Sequence, residues 1–150
     1  MSQQAKINIV AVDRENYHCF KAMVNRRLGR EEKPDQPVDA DLDFLNRDNI
    51  WVYAAQADGK FVGWVSAVLI PKPDDRKGLL FIDEMWTDEN YRNLGIGRLL
   101  LDRAIDLARE LNLWKVRLYV DSDNPAARRL YANAGFREEH KKAILCQRKP

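Results

Sequence analysis

The chain has 150 residues, with 25 Lys or Arg against 23 Asp or Glu, a net charge of +2 and 45% hydrophobic residues. That is the size of one domain with enough apolar residues to build a core, so a single domain over residues 1–150 is expected. The balanced charge gives no basis for nucleic acid as a partner. No apolar run is long enough to span a membrane, and Met1 to Lys6 open no secretory stretch, so a cytoplasmic protein without a membrane partner is expected.

In chain order, Ile7 to Val12 is β-rich and reads as a first strand. Arg14 to Gly29 reads as a helix, with Asp13 as its N-cap and Gly29 as its stop. Arg30 to Val38 carries two prolines and reads as a loop, and Asp39 to Arg47 as a short acidic helix. Ile50 to Gln56 and Lys60 to Ile70 are apolar, aromatic-rich strands joined by Asp58-Gly59, a hairpin-turn signal.

Pro71 to Gly78 is a further loop and Leu79 to Thr87 the next strand. Gly95 to Leu111 has apolar positions at Ile96, Leu99, Leu100, Ile105, Leu107, Ala108 and Leu111, the pattern of a helix buried on one face. Trp114 to Val120 reads as a strand. Pro125 to Ala134 reads as a helix, with Asn124 as cap and Gly135 beyond its end. Phe136 onward is expected to add one or two strands. This mixed order argues for an α/β (α+β) fold with helices on one largely antiparallel sheet.

Cys19 and Cys146 are too few for a disulfide framework and read as reduced, partly buried thiols. His18 and His140 lie far apart, and no metal-ligand spacing is present, so no metal site is expected. Trp51, Trp64, Trp86 and Trp114 lie in or beside strands and read as core residues, with Trp86 also placed to line a pocket.

The segment that points to chemistry is Tyr91-Arg92-Asn93-Leu94-Gly95-Ile96-Gly97-Arg98, between an apolar strand and an amphipathic helix. A helix start presents unpaired N–H groups and the positive end of the helix dipole, which together favour an anion such as phosphate. Glycine lets the backbone approach it closely. A P-loop would need Gly-Lys-Ser/Thr, which is absent, and a dinucleotide fingerprint would need a third glycine where Leu100 stands.

Arg92-Asn-Leu-Gly95-Ile-Gly97 resembles the Arg/Gln-x-x-Gly-x-Gly/Ala signature of the GNAT superfamily of N-acetyltransferases. Downstream, Asn124-Pro-Ala-Ala-Arg-Arg-Leu-Tyr131-Ala-Asn-Ala-Gly135-Phe136 is similar to that family's second motif, Asn-x-x-Ala-x-x-x-Tyr-x-x-x-Gly-Phe. The resemblance implies a GNAT-like sheet in which a splayed strand pair forms a slot for acetyl-CoA, the co-substrate, with no metal. It implies that Arg92 to Arg98 cradle the cofactor's diphosphate. Met85, Trp86 and Thr87 would pair with its pantetheine arm, and Asn124 would lie near that arm. Tyr131 matches the tyrosine that protonates the departing thiolate, and the family often carries an acid at one of the positions of Asp83 and Glu84. Strand alternation lets at most one of these two face the reaction centre, and a β-bulge would change which.

The reaction implied is direct attack of a primary amine on the thioester in a ternary complex; the alternative is a non-catalytic acyl-CoA-binding sensor. A homodimer is a family-based expectation. Glu31, Glu32, Asp35, Asp39, Asp41, Asp43 and Asp48, against Lys33 and Arg47, fall where the family builds its acceptor site. Such acids would attract a cationic amine, although solvated surface charge explains them as well.

Overall fold

A computed structural model describes residues 6–33 and 42–150, and the chain divides into two compact units, Met1–Tyr119 and Val120–Pro150. In the first unit, strands β1 (Ile7–Ala11), β2 (Ile50–Ala57), β3 (Lys60–Ile70), β4 (Leu79–Thr87) and β5 (Val116–Arg117) form one sheet in that spatial order. The first three junctions are antiparallel and the last is parallel. The turn between β2 and β3 has Asp58 and Gly59 both at positive φ (49° and 80°), the backbone of a tight hairpin turn.

Helix α1 (Tyr17–Arg27) covers one face of the sheet and α2 (Ile96–Glu110) the other. Successive strand residues point to opposite faces, and two neighbours on β3 separate the layers. Trp64 is buried in one cluster with Met23 of α1 and with Ala54 and Val52 of β2, and Phe20 and Val24 of α1 pack against it. Gly63 lies against α2. A Cβ there would sit 2.8 Å from the Trp86 carbonyl oxygen and 3.2 Å from the Ile96 side chain, so only glycine permits this approach. Along α2 the buried stripe is Ile96, Leu100, Leu101, Ala104, Leu107 and Ala108. Leu99 and Leu111, expected in that stripe, are exposed; the stripe turns with the helical repeat so that Leu101 and Ala104 take the inner positions.

Several element boundaries differ from expectation. Helix α1 starts at Tyr17, because Asp13 accepts from the Glu15 and Asn16 N–H groups and makes a turn there instead of capping a helix. Gly29 (φ 67°) does follow its end. The part of the Asp39 to Arg47 segment that is described forms a 3-10 helix, Asp43–Asn46; residues 39–41 lie outside the described residues. The strand expected over Trp114 to Val120 shortens to Val116–Arg117. Trp114 is 59% exposed instead of core, with the Lys115 Nζ 3.6 Å from its ring centroid.

In the second unit, α3 (Pro125–Asn133) starts as expected: Asn124 Oδ1 accepts from the Ala127 N–H, and Pro125 occupies the first turn. No strand follows Phe136. Residues 137–142 are His140 and five charged residues, and Ile144 and Leu145 are 91% and 81% exposed, so this stretch has neither an apolar face nor a ladder partner. Cys146 is exposed, contrary to expectation, whereas Cys19 packs beside the core; both are free thiols. No helix among the described residues is long and apolar enough to cross a membrane.

Candidate active site

The turn between β4 and α2 is built from three local devices. Asp88 Oδ1 accepts from the Asn90 N–H, capping a short 3-10 helix, Glu89–Tyr91. Asn93 (φ 63°) and Gly95 (φ 79°) then take left-handed backbone, which asparagine tolerates and glycine adopts freely. Gly95 is the N-cap of α2, and the first α2 bond into it is Leu99 N–H to Gly95 O at 3.1 Å. Among the described residues, no backbone carbonyl accepts from the N–H groups of Gly95, Ile96 or Gly97. Ile96 is buried and anchors this end of the helix, while Arg92, Asn93, Leu94 and Arg98 are exposed around it. Arg92 lies 3.7 Å from Glu89, and Arg98 bonds Asp102 at 2.9 Å. N–H groups without backbone acceptors, a helix N-terminus and two nearby arginines are features that favour an anion.

Strand β4 approaches this turn with one edge open. Its parallel pairing to β5 lasts two rungs, Leu80↔Val116 and Phe81↔Arg117. Beyond them, no strand among the described residues pairs with Met85, Trp86 or Thr87 on that side, although all three pair with β3 on the other. The ladder therefore ends there, and the backbone groups of Met85 to Thr87 on that edge have no strand partner among the described residues.

A β-bulge distinguishes the two acids. Ser66 pairs with Glu84 and Ala67 with Ile82, so Asp83 is the extra residue in β4. The bulge leaves both acids exposed in succession. Glu84 stands two residues from Trp86, opposite Ser66, on the sheet face that α1 covers. Its N–H donates to Ser66 Oγ, and its Oε2 lies 3.9 Å from the Arg27 guanidinium. Arg27 in turn lies over the Trp64 ring at 5.0 Å, and Trp64 meets Trp86 at 5.1 Å and Phe20 edge-on at 5.6 Å. Arg27 is the cation that this aromatic cluster and the Glu84 carboxylate share.

In the second unit, Tyr131 lies on α3, half-buried, with its ring 6.0 Å from Phe136. Burial pushes its phenol pKa upward. Asn124 uses its side-chain oxygen to cap the same helix.

Of the acids between residues 31 and 48, Glu31, Glu32, Asp43 and Asp48 are exposed, with Glu32 paired to Arg26 and Asp43 to Arg14; Asp35, Asp39 and Asp41 lie outside the described residues. Among the described residues no group of three or more His, Cys, Asp or Glu could hold a metal ion. Sequence reading missed Gly63, Ser66, Arg27 and the Arg26–Asp88 pair. An isolated glycine inside an apolar strand is a legible sign of close approach. Arg26 and Asp88 are 62 residues apart and leave no local trace.

Residues 12–136 match the model of the acetyltransferase (GNAT) family. The chain is 31% identical over 122 residues to a probable N-acetyltransferase, camello, of Xenopus tropicalis, covering 81% of this chain and 52% of that protein. It is 31% identical over 87 residues to mycothiol acetyltransferase of Beutenbergia cavernae, covering 58% of this chain and 28% of that protein. The chain thus spans about half or less of these two curated relatives. Among solved structures, AAC(6')-Iy in complex with the bisubstrate analog CoA-S-monomethyl-acetylneamine superposes with a TM-score of 0.76 at 16% identity, covering 96% of this chain and 99% of that one.

Proposed function

The chain belongs to the acetyltransferase (GNAT) family, and on that premise we propose that it is an N-acetyltransferase moving an acetyl group from acetyl-CoA to a primary amine by direct attack in a ternary complex. The observation that carries this reading is the β4–α2 junction, where N–H groups without backbone acceptors at Gly95 to Gly97 follow a strand whose edge is open from Met85 to Thr87. A diphosphate fits the first and a chain of amides the second. The solved relative that holds a CoA–amine analog supports the same pair of ligands.

Acetyl-CoA supplies the activated acyl group as a thioester. Arg92, Asn93, Leu94, Gly95, Ile96, Gly97 and Arg98 would hold its diphosphate, and Met85, Trp86 and Thr87 its pantetheine arm. Glu84 is the proposed base, supported by its position on the same face as Trp86 and Arg27, whereas Asp83 is taken as a solvated bulge residue. Glu84 accepts a proton from the acceptor's ammonium, directly or through a water, and the freed amine attacks the thioester carbonyl. A backbone N–H of Met85 to Thr87 stabilises the oxyanion that forms. Collapse would break the C–S bond while the attacking nitrogen loses its extra proton to solvent, and the motif tyrosine, Tyr131, would protonate the thiolate and regain a proton from solvent. A phenol's ordinary pKa of about 10 keeps that proton in place at neutral pH.

The acceptor class is a cationic amine, on the chemistry of an exposed carboxylate, Glu84, two residues from the half-buried Trp86. The test is free-thiol release from acetyl-CoA with a panel of primary amines. Acceptor-dependent thiol release is expected. Tight CoA binding without release across a broad panel would replace the enzyme with an acyl-CoA-binding module.

A further inference from the structure

The side chain of Arg26, in the last turn of α1, reaches three acceptors at once. Its Nε donates to Asp88 Oδ2 at 2.7 Å, its Nη2 to the Phe61 carbonyl at 2.5 Å and its Nη1 to Glu32 Oε1 at 2.6 Å. Asp88 is the one buried charged residue among the described residues, 5% exposed. A buried carboxylate is tolerated only when its oxygens are satisfied, and here one takes Arg26 and the other the Asn90 N–H. The Asp88 N–H donates to Val62 O at 2.8 Å, and its carbonyl accepts from Tyr91 at 2.9 Å. Every polar group of Asp88 is thus committed between the sheet and the 3-10 helix that leads into the Asn93–Gly95 turn.

We propose that Arg26 is a positioning residue for the diphosphate turn: through Asp88 it sets where the N–H groups of Gly95 to Gly97 point. This rests on the acetyl-CoA reading above and adds a residue from the opposite side of the sheet to that site. The planar guanidinium is needed because three acceptors in fixed directions must be met together; a lysine ammonium supplies the charge without that geometry. A residue that merely pins α1 to the sheet would affect every substrate of the folded enzyme alike. A residue that aims the turn affects only substrates that carry the diphosphate.

The experiment compares kcat/KM for acetyl-CoA and for acetylpantetheine, which lacks the diphosphate, in the wild-type protein, Arg26→Lys and Asp88→Asn. Asp88→Asn can keep an oxygen for the Asn90 N–H while setting an NH2 donor against the Arg26 Nε–H, so it removes the contact to Arg26 and serves if a change at Arg26 disturbs folding. The wild type is expected to prefer acetyl-CoA strongly. In each variant that preference should fall about tenfold, the equivalent of one well-placed hydrogen bond, through KM for acetyl-CoA and with acetylpantetheine turnover unchanged. Equal losses with both donors, or an unchanged preference in both variants, overturns the positioning role while leaving the acetyltransferase reading intact. A wild-type protein that neither binds CoA nor uses either donor overturns both.

Discussion

From Leu79 to Ile82, β4 is scaffold: it lies between β3 and β5, and Leu79 and Leu80 are 1% and 0% exposed. From Asp83 to Thr87 the same strand keeps β3 but has no β5 partner, and none of its residues is fully buried. Two events separate the halves. One is the bulge at Asp83, and the other is the end of the parallel ladder at Phe81↔Arg117. A sheet becomes a binding site where its hydrogen-bonding edge is released while its other edge stays held. The first half therefore carries the core, and the second is the half to which the proposed chemistry is assigned.

Substitutions in the two halves should fail in different ways. Leu80→Ala removes a fully buried side chain and should cost about 2–5 kcal/mol, read as a lower denaturant midpoint, with kcat of the remaining folded protein near wild type. Glu84→Gln should do the reverse, lowering kcat on the order of a hundredfold with an unchanged midpoint. Asp83→Asn beside it should change kcat by less than about twofold. Equal losses at the two positions would show that the bulge does not sort them.

Tyr131→Phe extends the chemical side of the comparison, and kcat should fall on the order of a hundredfold with CoA affinity retained; wild-type turnover across pH would remove Tyr131 from the mechanism. Gly97→Val, at the turn that the second half feeds, should weaken CoA binding about tenfold by placing a branched side chain against the diphosphate. Calorimetric titration with CoA measures this, and unchanged affinity would end the cradle assignment.

The smallest effect is expected far from β4. Glu138 takes hydrogen bonds from Arg128 at 2.7 and 2.8 Å, and these contacts hold its carboxyl pKa down to about 2. A carboxyl depressed in the folded state adds stability above its ordinary pKa of about 4.5 and loses it as pH falls towards about 2. Because the group is exposed, the contribution is small. In the wild type, amide exchange at α3 should quicken as pH drops through that window, beyond the intrinsic change, and Glu138→Gln should remove the extra dependence.

Much of this was readable along the chain. The apolar, aromatic-rich strands between Ile50 and Ile70 with their Asp58-Gly59 turn, the boundaries of β4 and the cap, proline and terminal glycine of α3 lie within a few residues of the signals that encode them. The Arg92-to-Gly97 turn was legible for the same reason, since its left-handed backbone is local and favours asparagine or glycine at those positions. The reading failed where local preference lacked a partner. Trp114 to Val120 has strand composition but only two residues in a ladder, and the charged run after Phe136 has none.

By itself, then, the sequence determined the helices, most of the strands, the glycine turn before α2 and the resemblance to acetyltransferases, because each rests on residues close together in the chain. The tertiary structure decided the rest. It set the bulge that separates Asp83 from Glu84, the two-rung limit of β5, the contact of Gly63 with α2 and the hold of Arg26 on Asp88. Each of these is an agreement between segments distant in sequence, and no local preference encodes which strand residue is left unpaired or which arginine reaches a buried carboxylate.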